Sequence, residues 1–233
     1  MAIKYVIFDL DGTLLDTLSD LRTAVNMALA DYGMAPRTRE EIRVYVGNGV
    51  RNLMSLSVAA AITGKTPDRQ SAALMAGENP QFEEIFAAFR KYYAEHQYDT
   101  TAPYEGVVEA AARIQEAGIK TAIVSNKVDS AVKDLNEKFF HIDVALGELG
   151  DAPGAPKRKP APDLVYMAME QIGANPEETV YIGDSEVDVQ TAKNSGLPCI
   201  SVLWGFRDRD ELEENGATVF AATPDEMVKL VLE

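Results

Sequence analysis

Beyond Pro103 the sequence alternates helical and extended segments, and this alternation limits the fold more than any other feature. Helical spacing runs over 105–117 and ends at Gly118, a glycine where a helix commonly turns off. An apolar extended run, 119–124, ends at Ser125-Asn126-Lys127. A helix over 129–139, a short strand over 144–146, a Gly- and Pro-rich loop over 147–159 and a helix over 161–172 follow. Next come a strand over 179–182, a helix over 186–195, a strand over 198–203, and a last strand and helix within 218–230. Strands that alternate with helices predict a parallel sheet covered on both faces.

The N-terminal run 3–10, with Val6, Ile7 and Phe8, reads as one more buried strand of this sheet. Between it and residue 99 the segments with a clear period are helical, with Gly47-Asn48-Gly49 as an interruption. Leu18, Leu21, Val25, Leu29 and Tyr32 recur at helical spacing before Gly33. Thr38 with Glu41 forms a capping-box pattern for a helix over 38–45. Segments 50–62 and 80–97 are also helical, the second with a broad face of Phe82, Ile85, Phe86, Phe89, Tyr92 and Tyr93. The expectation is a Rossmann-like α/β core of residues 1–15 and 99–233, with an all-α unit of residues 16–98 inserted after the first strand. Sites in open α/β sheets lie outside the carboxyl ends of the strands. An insertion leaving from such an end would overhang the site as a lid.

Polar groups gather at those predicted strand ends. Asp9 and Asp11 close the first strand, and i and i+2 on a strand point to one side. Gly12 lets the backbone turn away. Ser125 and Asn126 close the second, Lys159 precedes a helix, and Asp184 closes a later strand with Asp188 one helical turn on. Each alone has an ordinary reading: a solvated Asp-Gly turn, a Ser that caps a turn, one of several basic residues in Lys157-Arg158-Lys159, or an N-cap and a first-turn acid. Together they would converge at one sheet edge. Carboxylates, a hydroxyl and an ammonium there suit a hard divalent cation and an anionic substrate group.

Composition narrows the partners. The chain carries 22 basic and 37 acidic residues, a net charge of −15, which disfavours nucleic acid and anionic membrane surfaces. Its single cysteine, Cys199, excludes a disulfide within the chain and reads as a small buried residue. No segment has the pattern of a signal peptide or the length of a membrane span, and a reducing cytoplasm fits.

In order, Asp9-Leu10-Asp11-Gly12-Thr13, then Ser125, then Lys159, then Gly183-Asp184-Ser185-Glu186-Val187-Asp188 resembles the haloacid dehalogenase-like (HAD) phosphatases. The helical insertion resembles that family's cap. The stretches 12–17, Val46-Gly47-Asn48-Gly49 and Trp204-Gly205-Phe206-Arg207 resemble its phosphoglycolate phosphatase branch. The resemblance implies a Mg2+-dependent hydrolase of a small phosphorylated metabolite, acting as a monomer or homodimer. It implies Asp9 as nucleophile, Asp11 as general acid and base, and Ser125 and Lys159 at the phosphoryl group. Asp9, the Asp11 backbone and Asp184 would hold the metal, and Asp188 would support them. Thr13 and Asn126 are supporting candidates for substrate binding.

The approach to Lys159 is longer and richer in proline than the family pattern, which leaves Lys157 as a weaker competitor. For a carboxylated substrate, the Gly47-Asn48-Gly49 loop and Arg51 are candidate recognition groups; a helix-breaking turn is the ordinary alternative. Pyrophosphatase, sugar-phosphate phosphatase and phosphoglucomutase activities share this core. A phosphonate hydrolase would need a cap lysine; Lys65 and Lys91 are the options, and neither sits in a loop expected over the site. A phosphoacceptor signalling domain of the response-regulator type is the competing class. There the acidic pair and the acceptor lie on different strands.

Overall fold

A computed structural model describes residues 2–150 and 152–233. Position 151, within the loop expected over 147–159, lies outside the described residues, as does position 1. Two compact units result. One comprises Met1–Asp16 with Pro103–Glu233, the other Thr17–Ala102.

The first unit is a six-stranded sheet. Its strands are β1 (Tyr5–Phe8), β4 (Lys120–Val128), β5 (Val144–Glu148), β6 (Thr179–Gly183), β7 (Cys199–Val202) and β8 (Phe220–Ala221). Their order is β5-β4-β1-β6-β7-β8, and all the pairings are parallel. Strand alternation divides the core in two. Val6 and Phe8 point into one layer with α6 (Val107–Glu116), α7 (Asp129–Phe139) and α11 (Pro224–Leu232). Ile7 points into the opposite layer with α8 (Asp163–Ile172) and α9 (Glu186–Ser195). Each fully buried side chain of this size contributes roughly 1.5–3 kcal/mol of transfer free energy, so the two layers fix the register of β1 firmly. Later strands join β1 on one side through β4 and on the other through β6. This reversal opens a crevice at the carboxyl ends of β1, β4 and β6.

The structure differs from the sequence-based expectation in two elements of this unit. Strand β4 runs on through Ser125-Asn126-Lys127 to Val128 instead of stopping at Val124. Its pairing with β5 shifts register between Val124 and Val128, an irregularity that re-aims side chains. A further helix, α10 (Arg209–Glu214), follows β7 and carries its own capping box, Asp208 with Glu211.

The second unit consists of α1 (Leu18–Asp31), α2 (Arg39–Tyr45), α3 (Val50–Thr63), α4 (Arg69–Glu78) and α5 (Phe82–His96). The Thr38–Glu41 capping box is present at α2 as expected. Helix α5 lies along α1 and presents a stacked ladder, Phe82–Phe86–Phe89–Tyr93, with centroids 6.1, 6.4 and 5.6 Å apart. The sequence reading passes over α4, whose buried residues are only Ala72 and Ala76. The chain leaves and re-enters the first unit along a short ribbon, β2 (Leu15–Asp16) with β3 (Ala102–Pro103). Among the described residues no helix is long and apolar enough to cross a membrane.

Candidate active site

Strand β1 delivers Asp9, and the chain then turns tightly. Gly12 N donates to Leu15 O at 2.8 Å, and Leu14 N and Leu15 N both donate to Leu10 O. Gly12 adopts φ +93°, and a Cβ there would collide with the Asp184 carboxylate. The glycine therefore serves both the turn and the close approach of Asp184.

Lys159 lies at the centre of the site. Its ammonium is 2.7 Å from Asp9 Oδ1 and 2.8 Å from Asp188 Oδ1, and donates to the Tyr181 hydroxyl at 3.2 Å. Lys157 is exposed and donates its backbone N–H to Asp163, so the lysine of the site is Lys159. Asp188 belongs to α9 and completes a capping box with Ser185. Its Oδ2 accepts from Asp184 N, Ser185 N and Ser185 Oγ, at 3.2, 3.1 and 2.6 Å. Tyr181 OH donates to its Oδ1 at 3.1 Å. Asp184 accepts from Thr13 Oγ1 at 2.9 Å and from Phe206 N at 2.8 Å.

Oxygens of Asp9, Asp184 and Asp188 lie within 4.8 Å of one another, and all three residues are buried. The charges do not balance. Burial pushes Asp9 well above the usual carboxylate range; Asp188 and Asp184 push it further, and Lys159 only partly opposes them. Burial and Asp188 raise Asp184 to about 7, against hydrogen bonds from Phe206 and Thr13 and the nearby Arg207. Burial opposes Asp188 too, but Lys159, Ser185 and Tyr181 outweigh it and hold its carboxyl low. Lys159 itself is held above its ordinary value: desolvation is overcome by Asp188 and Asp9. One ammonium thus serves Asp188 fully and leaves Asp9 and Asp184 short of positive charge. Hard oxygen donors in that condition fit a divalent cation.

The remaining candidates have the following surroundings. Ser125 is 1% exposed, and its Oγ accepts from Lys127 N at 3.1 Å. Asn126 clasps the Lys159 backbone, with Oδ1 accepting from Lys159 N at 2.8 Å and Nδ2 donating to Lys159 O at 3.1 Å. Thr13 and Asn126, expected at the substrate, therefore have other partners here; they position Asp184 and Lys159. Asp11 faces Lys127, whose Nζ lies 3.2 Å from Asp11 Oδ1. Lys127, Tyr181 and the Phe206 amide join the site without being marked as site residues by the sequence motifs. The stretch Trp204-Gly205-Phe206-Arg207 was a signal: a Cβ on Gly205 would collide with Asp184 and Gly12 O, and Trp204 Nε1 donates to Thr13 O at 2.9 Å. Cys199 is half-buried, and burial pushes its thiol up to about 12, so it is no nucleophile.

Asn48 and Arg51 belong to the helical unit. Asn48, in the amide orientation that suits both of its ends, accepts from Arg69 at 2.9 and 3.1 Å. Arg51 is paired with Glu83 and lies over the Phe82 and Phe86 rings, 5.2 and 5.3 Å from their centroids.

A family model described as haloacid dehalogenase-like hydrolase matches residues 6–202. The chain belongs to that family. It is 33% identical to a phosphoglycolate phosphatase of Pseudomonas syringae pv. syringae over 98% of this chain and 78% of that one. It is 34% identical to that of Thiobacillus denitrificans over 88% of this chain and 86% of the relative. Among solved structures, a Lactobacillus delbrueckii subsp. bulgaricus protein superposes with a TM-score of 0.90 at 35% identity, over 100% of this chain and 99% of that one. The assignment of that protein to phosphoglycolate phosphatase is itself a proposal. A Rhodobacter sphaeroides protein solved with phosphate shares the fold, with a TM-score of 0.72 at 23% identity over 97% and 96% of the two chains.

Proposed function

We propose that this enzyme hydrolyses a small phosphomonoester through an aspartyl-phosphate on Asp9, with a phosphoglycolate-type substrate. The observation that carries the reading is the buried Lys159 ammonium between Asp9 and Asp188, with Asp184 close enough to complete an oxygen-ligand cluster. Asp9, Asp184 and the Asp11 carbonyl would hold Mg2+, which supplies charge neutralisation for the phosphoryl oxygens.

In the first half-reaction Asp9 attacks phosphorus. The bond from phosphorus to the leaving oxygen breaks as Asp11, in its acid form, gives that oxygen a proton. In the second, Asp11 as carboxylate takes a proton from water, the water oxygen bonds to phosphorus, and the Asp9–phosphorus bond breaks. Asp11 ends protonated, as it began. Lys159 offsets charge on the attacking carboxylate and the phosphoryl group, and the Ser125 hydroxyl is the donor for a phosphoryl oxygen. Asp188, Tyr181 and Asn126 keep Lys159 in place. The helical unit acts as the cap that selects the substrate, and the single inert cysteine fits a reducing cytoplasm.

Steady-state phosphate release from a panel of phosphorylated metabolites tests this reading. With Mg2+ the wild type should turn over 2-phosphoglycolate, and Asp9→Asn should lower kcat by about 10^4 or more. Substantial turnover by Asp9→Asn would remove Asp9 as the nucleophile.

A further inference from the structure

Lys127 is, with Lys159, one of two buried lysines among the described residues of the catalytic unit; it is 6% exposed, with its ammonium 3.2 Å from Asp11 Oδ1. Several features hold its backbone. Lys127 N donates to Ser125 Oγ at 3.1 Å. Strand β4 pairs with β5 before and after it, at Val124↔Leu146 and Val128↔Glu148. Gly147 of β5 comes so close to Lys127 O that a Cβ there would collide with it and with the Asp129 backbone. Gly147 N is also fastened to Asp129 Oδ1 at 3.0 Å. A lysine with its main chain fixed in this way is presented to one place in the site.

That place is the side of the leaving group. In phosphoryl transfer the leaving oxygen lies across phosphorus from the nucleophile, and the acid reaches it within about 3 Å. With Asp9 as nucleophile and Asp11 as acid, the substituent on the leaving oxygen lies beside Asp11. It therefore also lies beside the ammonium that contacts Asp11. The other buried lysine is committed elsewhere, bridging Asp9, Asp188 and Tyr181. The two lysines divide the site, Lys159 to the nucleophile and Lys127 to the leaving group. Arg51, the cation the sequence offered for a carboxylate, is engaged with Glu83 and two phenyl rings in the helical unit.

We propose that Lys127 is a specificity-determining residue: it binds an anionic group, a carboxylate, carried one or two carbons from the ester oxygen of the leaving group. Binding exchanges one carboxylate partner for another: the substrate anion takes the ammonium, and the Asp11 carboxylate, released toward the ester oxygen, takes up from solvent the proton that it then gives to that oxygen. The selectivity belongs to the core and not only to the helical unit. This proposal rests on the phosphatase reading above.

The experiment compares kcat/KM for 2-phosphoglycolate and for ethyl phosphate, which has the same chain length and no carboxylate. Wild type, Lys127→Gln and Lys127→Arg are measured with Mg2+. The expected wild-type preference for 2-phosphoglycolate is about 100-fold or more. In Lys127→Gln, kcat/KM on 2-phosphoglycolate should fall about 100-fold and on ethyl phosphate by no more than about 3-fold, so that the preference collapses. Lys127→Arg should recover part of it. An equal fall on both substrates would show that Lys127 merely holds Asp11, and would overturn the proposal. So would a wild type without preference, or a Lys127→Gln variant that keeps the wild-type ratio. If Lys127→Gln does not fold, Lys127→Arg decides alone: the longer, forked head should change the substrate ratio by at least about 5-fold, and an unchanged ratio overturns the proposal. A wild type that hydrolyses neither ester would instead bring down the phosphatase reading, and this inference with it.

Discussion

Among the described residues, carboxylates are buried in two places, and their surroundings are opposite. In the helical unit Asp20, on the first turn of α1, is 2% exposed. It accepts from Thr100 N at 3.0 and 3.1 Å, Thr100 Oγ1 at 2.5 Å, Thr101 N at 2.9 Å and Thr101 Oγ1 at 2.9 Å. Burial pushes its carboxyl up, these neutral donors outweigh burial, and the net effect is a carboxyl held below its ordinary value. In the core Asp9 and Asp184 lie among other acids and are pushed up. A buried acid is therefore no mark of function in itself. Asp20 is satisfied and fastens the end of the unit to α1, whereas Asp9, which shares Lys159 with Asp188, and Asp184 remain short of positive charge. That deficit distinguishes a site from a structural anchor.

The contrast gives opposite pH dependences. Asp184 has a folded value of about 7, raised above the unfolded one, so its contribution to stability is intact below about pH 4 and is lost as pH rises through 7. Without divalent metal, Asp184→Asn should be more stable than wild type at pH 8, by on the order of 4 kcal/mol, and the gap should close toward pH 4. Denaturant titrations at several pH values would measure it, and a gap that does not vary with pH would break the contrast.

Asp20 has the reverse sign. Its depressed value gives stability that is present above the usual carboxylate range and lost as pH falls through its folded value. Asp20→Ala should cost the helical unit about 3 kcal/mol at neutral pH, because four donors lose their acceptor. The cost should shrink on acidification, as followed by thermal melts from pH 7 to pH 3. A cost that grows in acid would contradict the reading of Asp20 as an ionised anchor.

The smallest effect concerns Tyr181, whose hydroxyl joins Lys159 to Asp188. Tyr181→Phe should cost about 1 kcal/mol in stability and lower kcat several-fold with KM nearly unchanged. A change confined to KM would mean that the hydroxyl does not act through Lys159.

The parts of this arrangement legible in the sequence were local. The Thr38–Glu41 capping box, the Asp-Gly turn after β1 and the alternation beyond Pro103 are written in neighbouring residues, and the structure bears them out. The order of motifs announced the carboxylates and Lys159. Other features depended on partners far along the chain. Thr13 meets Asp184 across 171 residues, and Lys127 meets Asp11 across 116. The extension of β4 past Val124 depends on β5 and on the close approach of Gly147. Helix α4 has no broad apolar face, since only two alanines are buried, so periodicity could not reveal it. Asp20 shows the converse: nothing in its sequence context separates a satisfied acid from an unsatisfied one.

Calorimetric titration of the metal-free enzyme with Mg2+ near pH 6.5 tests the central claim most directly. The account predicts one ion per chain, bound with release of protons because the raised carboxyls of the core are partly protonated there. Binding should be abolished in Asp184→Asn and unchanged in Asp20→Asn. Binding that survives the loss of Asp184, or takes up no carboxyl of this cluster and releases no proton, would contradict it.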